Sequence, residues 1–135
     1  MTTTFSMIRA HLLAVSFALL TVASTASAAP VKTGYARSGD LDLYYEVHGS
    51  GGTPLVVLQG SFCTVEMCFG QMLPTLAASR QVILIDQQGH GHTLLAKDHP
   101  FTVTQMKTDS VAVMKKLGIQ KADVLGYSTG AAVAL

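Results

Sequence analysis

Apolar and polar side chains alternate over residues 41–46, whose sequence is LDLYYE. A period of two places alternate side chains on opposite faces of an extended chain, so this stretch predicts a strand with one buried face. The preceding Ser38-Gly39-Asp40 is a turn signal. We therefore predict a hairpin that pairs residues 35–37 with residues 41–48, followed by a loop over residues 49–54.

Three later stretches are apolar without alternation. Their sequences are PLVVLQG, QVILID and KADVLGY. Short runs of Val, Ile and Leu are typical of strands that are covered on both faces, as in a parallel sheet. We expect residues 55–60, 81–86 and 122–127 to form three buried, neighbouring, parallel strands.

Helical spacing separates these strands. Residues 65–78 place their apolar side chains on one broad helical face, and Pro74 predicts a kink or break near Met72. A second helix is predicted over residues 104–117, with Thr102 or Thr104 as its cap and Gly118 as its stop. Its inward side chains are expected to be Met106, Val113, Met114 and Leu117. The final GAAVAL begins another helix.

Alternation of strands and helices defines the fold class. The order is hairpin, strand, helix, strand, helix, strand, helix start, which predicts an α/β domain with a mainly parallel sheet and right-handed crossovers. We expect one domain over residues 30–135.

Residues 1–29 have the pattern of a secretory signal peptide. Arg9 and His11 lie in a polar start, an apolar run of 12 residues covers Leu12 to Ala23, and Ala26-Ser27-Ala28 fits an A-x-A cleavage site. A membrane anchor is the alternative, but a span needs about 20 apolar residues. We therefore expect a secreted or periplasmic protein, cleaved near Ala28 and Ala29, with no stable membrane anchor afterwards.

The net charge and the cysteine spacing limit the partners and ligands that we expect. The formal net charge is +1 and no Lys/Arg cluster is present, so a nucleic-acid partner is not expected. In an oxidising compartment Cys63 and Cys68 have two alternatives, a disulfide or two partly buried thiols. Their spacing is not that of a metal site, and a pair formed by His90 and His92 would lack further ligands. No metal or cofactor is expected.

A G-x-S-x-G pattern, Gly126-Tyr127-Ser128-Thr129-Gly130, lies between the third apolar strand and the last helix. A serine on such a turn projects its hydroxyl above the sheet, and Gly126 and Gly130 remove side chains that would collide across the turn. The N–H of Thr129 at the helix start is placed to face a developing oxyanion. The alternative is a chance match, but the motif requires a strand before it and a helix after it, and the sequence predicts both.

From about Gly34 to Leu135 the chain resembles the N-terminal half of an α/β-hydrolase-fold enzyme. Three stretches carry the resemblance: PLVVLQGSF resembles the strand and oxyanion loop, VILIDQQGHGHT the next strand and its D-x-R-G-x-G-x-S loop, and LGIQKADVLGYSTGAAVAL the strand and nucleophile elbow. The resemblance implies a partial α/β-hydrolase fold that stops after the nucleophile elbow. It assigns Ser128 as nucleophile and the backbone N–H groups of Ser61 and Thr129 as oxyanion hole.

The chain departs from the family pattern at four positions. Gln59 stands where His is usual, Gln88 where Arg is usual, Thr93 where Ser is usual and Ala131 where a second glycine is common. Gln88 removes an expected ion pair in the loop. Gln59 directly precedes Gly60 and Ser61, so this departure affects the geometry expected for the oxyanion loop.

The family order is Ser, then an acid, then His, and the last two lie downstream of the elbow. The sequence stops seven residues after Ser128. His90 and His92 are expected on the same sheet edge as Ser128, but the resemblance makes them a loop signature and not triad members.

Two hypotheses follow. The first is a secreted serine hydrolase, present as a fragment, that acts on a carboxylic ester or related acyl bond of a small molecule. The second is a non-catalytic truncated product or pseudoenzyme that lacks the acid and the His of the triad.

Overall fold

The computed structural model describes residue 30 and residues 32–135, so the predicted signal segment lies outside the described residues. Strands alternate with helices along the chain. The elements in order are β1 (Lys32–Ser38), β2 (Leu41–His48), β3 (Leu55–Leu58), α1 (Val65–Phe69), α2 (Leu73–Ala77), β4 (Val82–Ile85), α3 (Val103–Lys116), β5 (Asp123–Gly126) and α4 (Thr129–Ala134).

The described strands form one mixed sheet in the order β1-β2-β4-β3-β5. β2 runs antiparallel to β1 and to β4, whereas β3 lies parallel to β4 on one side and to β5 on the other. The predicted hairpin and the three neighbouring parallel strands are confirmed. Because parallel strands end at the same edge of a sheet, the loops after β3, β4 and β5 come together there.

The two central strands are buried on both faces, as their unbroken apolar runs predict. Val56 and Leu58 point to a cluster that includes Met106 of α3 and Val133 of α4. Leu55 and Val57 point to the opposite cluster, which contains apolar residues of α1 and α2. The sheet is therefore covered by helices on both faces, which is the α/β architecture expected from the sequence.

The prediction of a third buried strand is wrong. In β5, Asp123 and Val124 are exposed, whereas Leu125 and Gly126 are half-buried. β5 lies at the edge of the described sheet and pairs with β3 alone. An apolar run shows that its side chains favour burial. Burial also requires a neighbouring element. Among the described residues, β5 has a neighbouring strand, β3, on one side only.

The helices begin and end close to their predicted positions. The expected break near Met72 separates α1 from α2, and Pro74 lies in the first turn of α2, where its missing N–H leaves no helical bond unmade. Thr102 is the cap of α3, and its side chain accepts a hydrogen bond from Gln105 N–H. Among the described residues, no helix combines the length and apolar character needed to span a membrane.

Cys63 and Cys68 form a disulfide, with Cα atoms 6.2 Å apart. The sequence left this pairing open. Cys63 precedes α1 and Cys68 lies within it, and Thr64 between them caps the helix by accepting a hydrogen bond from Met67 N–H. The bridge therefore ties the loop after β3 to the C-terminal part of α1.

His99 anchors the long loop before α3. Its ring is buried, and its Nε2–H donates to both oxygens of Asp109 at 3.0 Å while its Nδ1–H donates to Asp40 at 3.1 Å. Asp109 also accepts from Ser38 and Gln105. Burial opposes a charged ring, but the hydrogen bonds and negative charges of Asp109 and then Asp40 outweigh burial and raise the pKa of His99.

We expect His99→Ala to lower the free energy of unfolding by about 3 kcal/mol at mildly acidic pH, because Asp109 would remain buried without its cationic partner. The pKa of His99 is raised above 6.5 in the folded chain. Its contribution is therefore fully present below the unfolded-state value and is lost as pH rises through the folded-state value. Urea unfolding of both proteins across this range measures the difference.

Lys97→Ala, an exposed change in the same loop, serves as control and is expected to leave stability unchanged at every pH. A stability gap between His99→Ala and the parent protein that widens as pH rises would contradict the proposed charge state of His99.

Candidate active site

Ser128 occupies a strained turn between a strand and a helix. β5 ends at Gly126, α4 begins at Thr129, and Ser128 between them has φ 52° and ψ −119°. A positive φ is uncommon for a residue with a side chain and persists where the surrounding structure enforces it. The prediction that Ser128 lies in a strained turn is confirmed.

Gly126 and Gly130 allow this turn to pack against the sheet. A Cβ atom on Gly126 would overlap the carbonyl oxygen of Gly130, and a Cβ atom on Gly130 would overlap the carbonyl oxygens of Leu58 and Gln59. There is therefore no room for a side chain between β5 and α4 at Gly126, or between α4 and the end of β3 at Gly130. The steric reason given for both glycines from the sequence holds in the structure.

The loop after β3 lies directly beside Ser128. A Cβ atom on Gly60 would stand 2.9 Å from the Cβ atom of Ser128 and 3.1 Å from Tyr127, so only glycine permits this approach. The Ser61 hydroxyl lies 2.7 Å from the Thr129 hydroxyl, within hydrogen-bond distance. The structure thus brings Ser61, Ser128 and Thr129 together at the carboxyl edge of the sheet.

The backbone N–H groups of Ser61 and Thr129 have no protein acceptor among the described residues. Thr129 is the first residue of α4, where a helix leaves its N–H groups without an internal partner. Ser61 follows β3 and lies outside any ladder. Both N–H groups are free to bind a further acceptor.

His90 and His92 follow β4 on the same edge, as expected, but each is engaged away from Ser128. His90 Nδ1 lies 3.0 Å from the carbonyl oxygen of Gln88, and Nε2 accepts from Phe62 N–H at 3.1 Å. His92 Nδ1 lies 3.1 Å from Asp86. Within the described residues, no histidine is hydrogen-bonded to Ser128.

The link between His90 and Phe62 was missed by sequence reasoning. The only related signal is the G-H-G segment, which the resemblance to the family identifies as a loop signature and which does not indicate a partner for His90. The two residues are 28 positions apart and meet only because β3 and β4 are neighbours.

A family model described as the alpha/beta hydrolase fold matches residues 53–135. The chain belongs to the α/β-hydrolase family. It is 36% identical over 102 residues to a protein of Azorhizobium caulinodans named "Putative carbamate hydrolase RutD", covering 75% of this chain and 37% of that protein. It is also 36% identical over 104 residues to the "Dihydrolipoyllysine-residue acetyltransferase component of acetoin cleaving system" of Pseudomonas putida, covering 72% and 26% respectively.

Solved structures agree on the fold. A hydrolase from Pseudomonas aeruginosa superposes with a TM-score of 0.70 at 24% identity, covering 76% of this chain and 39% of that one. At that identity the likeness concerns the fold alone. The chain spans roughly a quarter to two fifths of the length of these three proteins.

At the position where the family usually has His, Gln59 takes a structural role. Its side chain is 1% exposed. With its amide oriented to satisfy both polar atoms, it donates to the carbonyl oxygen of Ile85 at 2.6 Å and accepts from Gln87 N–H at 2.8 Å. The amide thus ties the end of β3 to the end of β4. The departure at Gln59 leaves the loop beside Ser128 anchored.

Two of the other departures, Gln88 and Thr93, are also accommodated by hydrogen bonds. Gln88, where the α/β-hydrolase family usually has Arg, is buried and donates to the carbonyl oxygen of His99 at 3.3 Å. Thr93, where Ser is usual, is buried and accepts from Tyr44 N–H at 2.9 Å. A neutral bond therefore replaces the ion pair expected at Gln88, and Thr93 joins its loop to β2.

The cavity at this edge is small. It holds about 10 Å³ and is lined by residues of the loops after β3 and β4, by Met106 and by the start of α4. The described part of the chain contains no group of three or more His, Cys, Asp or Glu side chains arranged to hold a metal ion. The candidate site therefore combines a strained serine with two backbone N–H groups that have no protein acceptor among the described residues.

Proposed function

We propose that this chain carries the nucleophile and the oxyanion hole of a serine hydrolase, with Ser128 as the attacking group. The observation that carries the proposal is the convergence of the Ser128 turn with the Ser61 and Thr129 backbone at the carboxyl edge of the sheet. Membership of the α/β-hydrolase family supports it. Two N–H donors that lack protein acceptors suit a site that stabilises negative charge as it develops.

In this mechanism the Ser128 Oγ attacks an acyl carbon, and its proton passes to a general base. The carbonyl oxygen becomes an oxyanion that accepts hydrogen bonds from the Ser61 and Thr129 N–H groups. Collapse of the tetrahedral intermediate breaks the bond to the leaving alcohol or amine, which takes up the proton from the base. Water then releases the acid from the acyl-serine by the same steps.

The substrate class proposed is a small molecule with a carboxylic ester or a related acyl bond. The names of two relatives, a carbamate hydrolase and an acetyltransferase component, both describe chemistry at a carbonyl carbon. A carbamate carbonyl would meet the same Ser128 nucleophile and the same two donors as an ester carbonyl.

We further propose that the general base and its acid partner come from outside these 135 residues. The described histidines are engaged elsewhere, and the relatives are considerably longer than this chain. The competing function is a non-catalytic product that keeps the fold without the chemistry. A serine hydroxyl is a weak nucleophile unless a base lies within hydrogen-bond distance.

Acyl trapping tests the proposal. The 135-residue chain and a longer form that includes the downstream sequence are incubated with p-nitrophenyl acetate, and the peptides are examined by mass spectrometry. We expect acetylation of Ser128 and fast p-nitrophenolate release in the longer form, with little turnover by the 135-residue chain. Acetylation at a different residue would refute the nucleophile, and a longer form with no turnover would favour the non-catalytic product.

Export is proposed together with this function. The pattern of residues 1–29 supports it, as does the Cys63–Cys68 disulfide, because such bonds persist in oxidising compartments. We expect N-terminal sequencing of the exported protein to begin at or near Ala29. An exported protein that retains Met1 would show that the cleavage prediction is wrong.

A further inference from the structure

Phe62, which follows Ser61, has a backbone conformation that its own side chain does not explain. Its φ is 65°, in the left-handed region that disfavours residues with a Cβ atom. Its side chain is 98% exposed, so packing of the ring does not hold the residue in place. A strained residue persists only when neighbouring groups enforce its conformation.

Two contacts enforce it. On one side, His90 Nε2 accepts a hydrogen bond from Phe62 N–H at 3.1 Å. On the other, Cys63 is bonded to Cys68 and its sulfur contacts the carbonyl oxygen of Gly60 at 3.5 Å. The Ser61–Phe62 peptide is therefore held between the loop after β4 and the disulfide-linked α1.

The tautomer of His90 follows from its partners. The Gln88 carbonyl oxygen can only accept, so Nδ1 carries the proton, and Nε2 is left with the lone pair that Phe62 N–H requires. The ring itself is held by a tight loop, in which Thr93 N–H donates to the His90 carbonyl oxygen at 2.9 Å and Gly89 N–H to the Thr93 carbonyl oxygen at 3.0 Å. His90 is thus a fixed acceptor with no lone pair left for Ser128.

We propose that His90 is a positioning residue that holds the Ser61–Phe62 peptide so that the Ser61 N–H faces the oxyanion. This inference rests on the proposed function, because it assigns His90 to the Ser61 donor of that site. The hydrogen bond from Phe62 N–H to His90 fixes the peptide group that follows Ser61. It therefore restricts rotation of the Ser61 backbone, whose own N–H is the proposed oxyanion donor. An oxyanion hole lowers the barrier only if its donors are already in place when charge develops.

Two substitutions separate this role from that of a base. His90→Gln retains an acceptor oxygen within reach of Phe62 N–H but cannot take up a proton at neutral pH. His90→Leu keeps the approximate volume and removes the acceptor. In the form of the protein that hydrolyses p-nitrophenyl acetate, we expect His90→Leu to lower kcat by about 10- to 100-fold with KM little changed, and His90→Gln to retain most of kcat.

His92→Leu is the matched control, since it changes the other histidine of the same loop, whose exposed ring contacts Asp86 and not Phe62. We expect it to retain kcat. Unchanged kcat in His90→Leu, or equal losses in His90→Gln and His90→Leu, would overturn the positioning role.

The role of His90 can also be tested on the 135-residue chain without an activity assay. In ¹⁵N NMR spectra, His90 should show a protonated Nδ1 and an acceptor Nε2, and amide exchange of Phe62 should accelerate at least about tenfold in His90→Leu. Unchanged amide exchange of Phe62 would overturn the inference.

Ser128→Ala separates the two proposals. If that variant keeps its activity, the proposed function fails. A loss of activity in Ser128→Ala without a loss in His90→Leu refutes only the role of His90.

Discussion

Ser128→Ala is expected to lower kcat for p-nitrophenyl acetate by at least about 10⁴-fold in the form of the protein that turns it over. Removing the nucleophile of a serine hydrolase leaves only the oxyanion hole and substrate binding, and measured losses for triad members are on the order of 10⁴ to 10⁶. Because the backbone donors remain, KM is expected to change little. Steady-state kinetics with the substrate in excess measure both quantities.

Ser79→Ala is a suitable control, because this serine is exposed and lies in the connection between α2 and β4, away from the elbow. It is expected to match the parent enzyme. Activity that persists in Ser128→Ala would mean that another group attacks the acyl carbon, and the acylated peptide would then identify that group.

The second large effect concerns the centre of the sheet. Ile83→Ala is expected to lower the free energy of unfolding by about 4 kcal/mol, because Ile83 is fully buried in the central part of the sheet and its deletion leaves a cavity. That loss is a substantial share of the roughly 5–15 kcal/mol of a typical domain. Equilibrium unfolding in urea, followed by circular dichroism, measures it.

Val124→Ala provides the comparison, because it also shortens an aliphatic side chain on a strand of the same sheet. Val124 is 45% exposed, so truncation removes little buried area, and we expect a loss below about 1 kcal/mol. A loss for Val124 as large as that for Ile83 would show that a further element covers β5.

Much of the architecture could be predicted because local patterns report it directly. The alternation of residues 41–46 predicted β2, and the unbroken runs of Val, Ile and Leu predicted β3 and β4 as doubly covered strands. Thr102 or Thr104 was predicted as the cap of α3 and Gly118 as its stop; the structure uses Thr102, and Gly118 has the positive φ that such a stop needs. Each of these signals is a property of a few neighbouring residues.

The candidate site could be predicted as a set of residues but not as a set of contacts. The glycine spacing around Ser128 implied a tight turn, and the structure has it. The contact between the Ser61 and Thr129 hydroxyls and the bond between His90 and Phe62 join segments 68 and 28 positions apart. No spacing along the chain encodes such distances.

By itself, the sequence determined the order of the elements, the α/β class and the tight turn at Ser128 with its flanking glycines, because hydrophobic periodicity and glycine sterics act locally. Only the tertiary structure decided that β5 is a partly exposed edge, that Cys63 and Cys68 are bonded and that both nitrogens of His90 are occupied. These features depend on which segments become neighbours. That is fixed by the packing of the whole sheet, since burial and hydrogen bonding need a partner as well as a suitable residue.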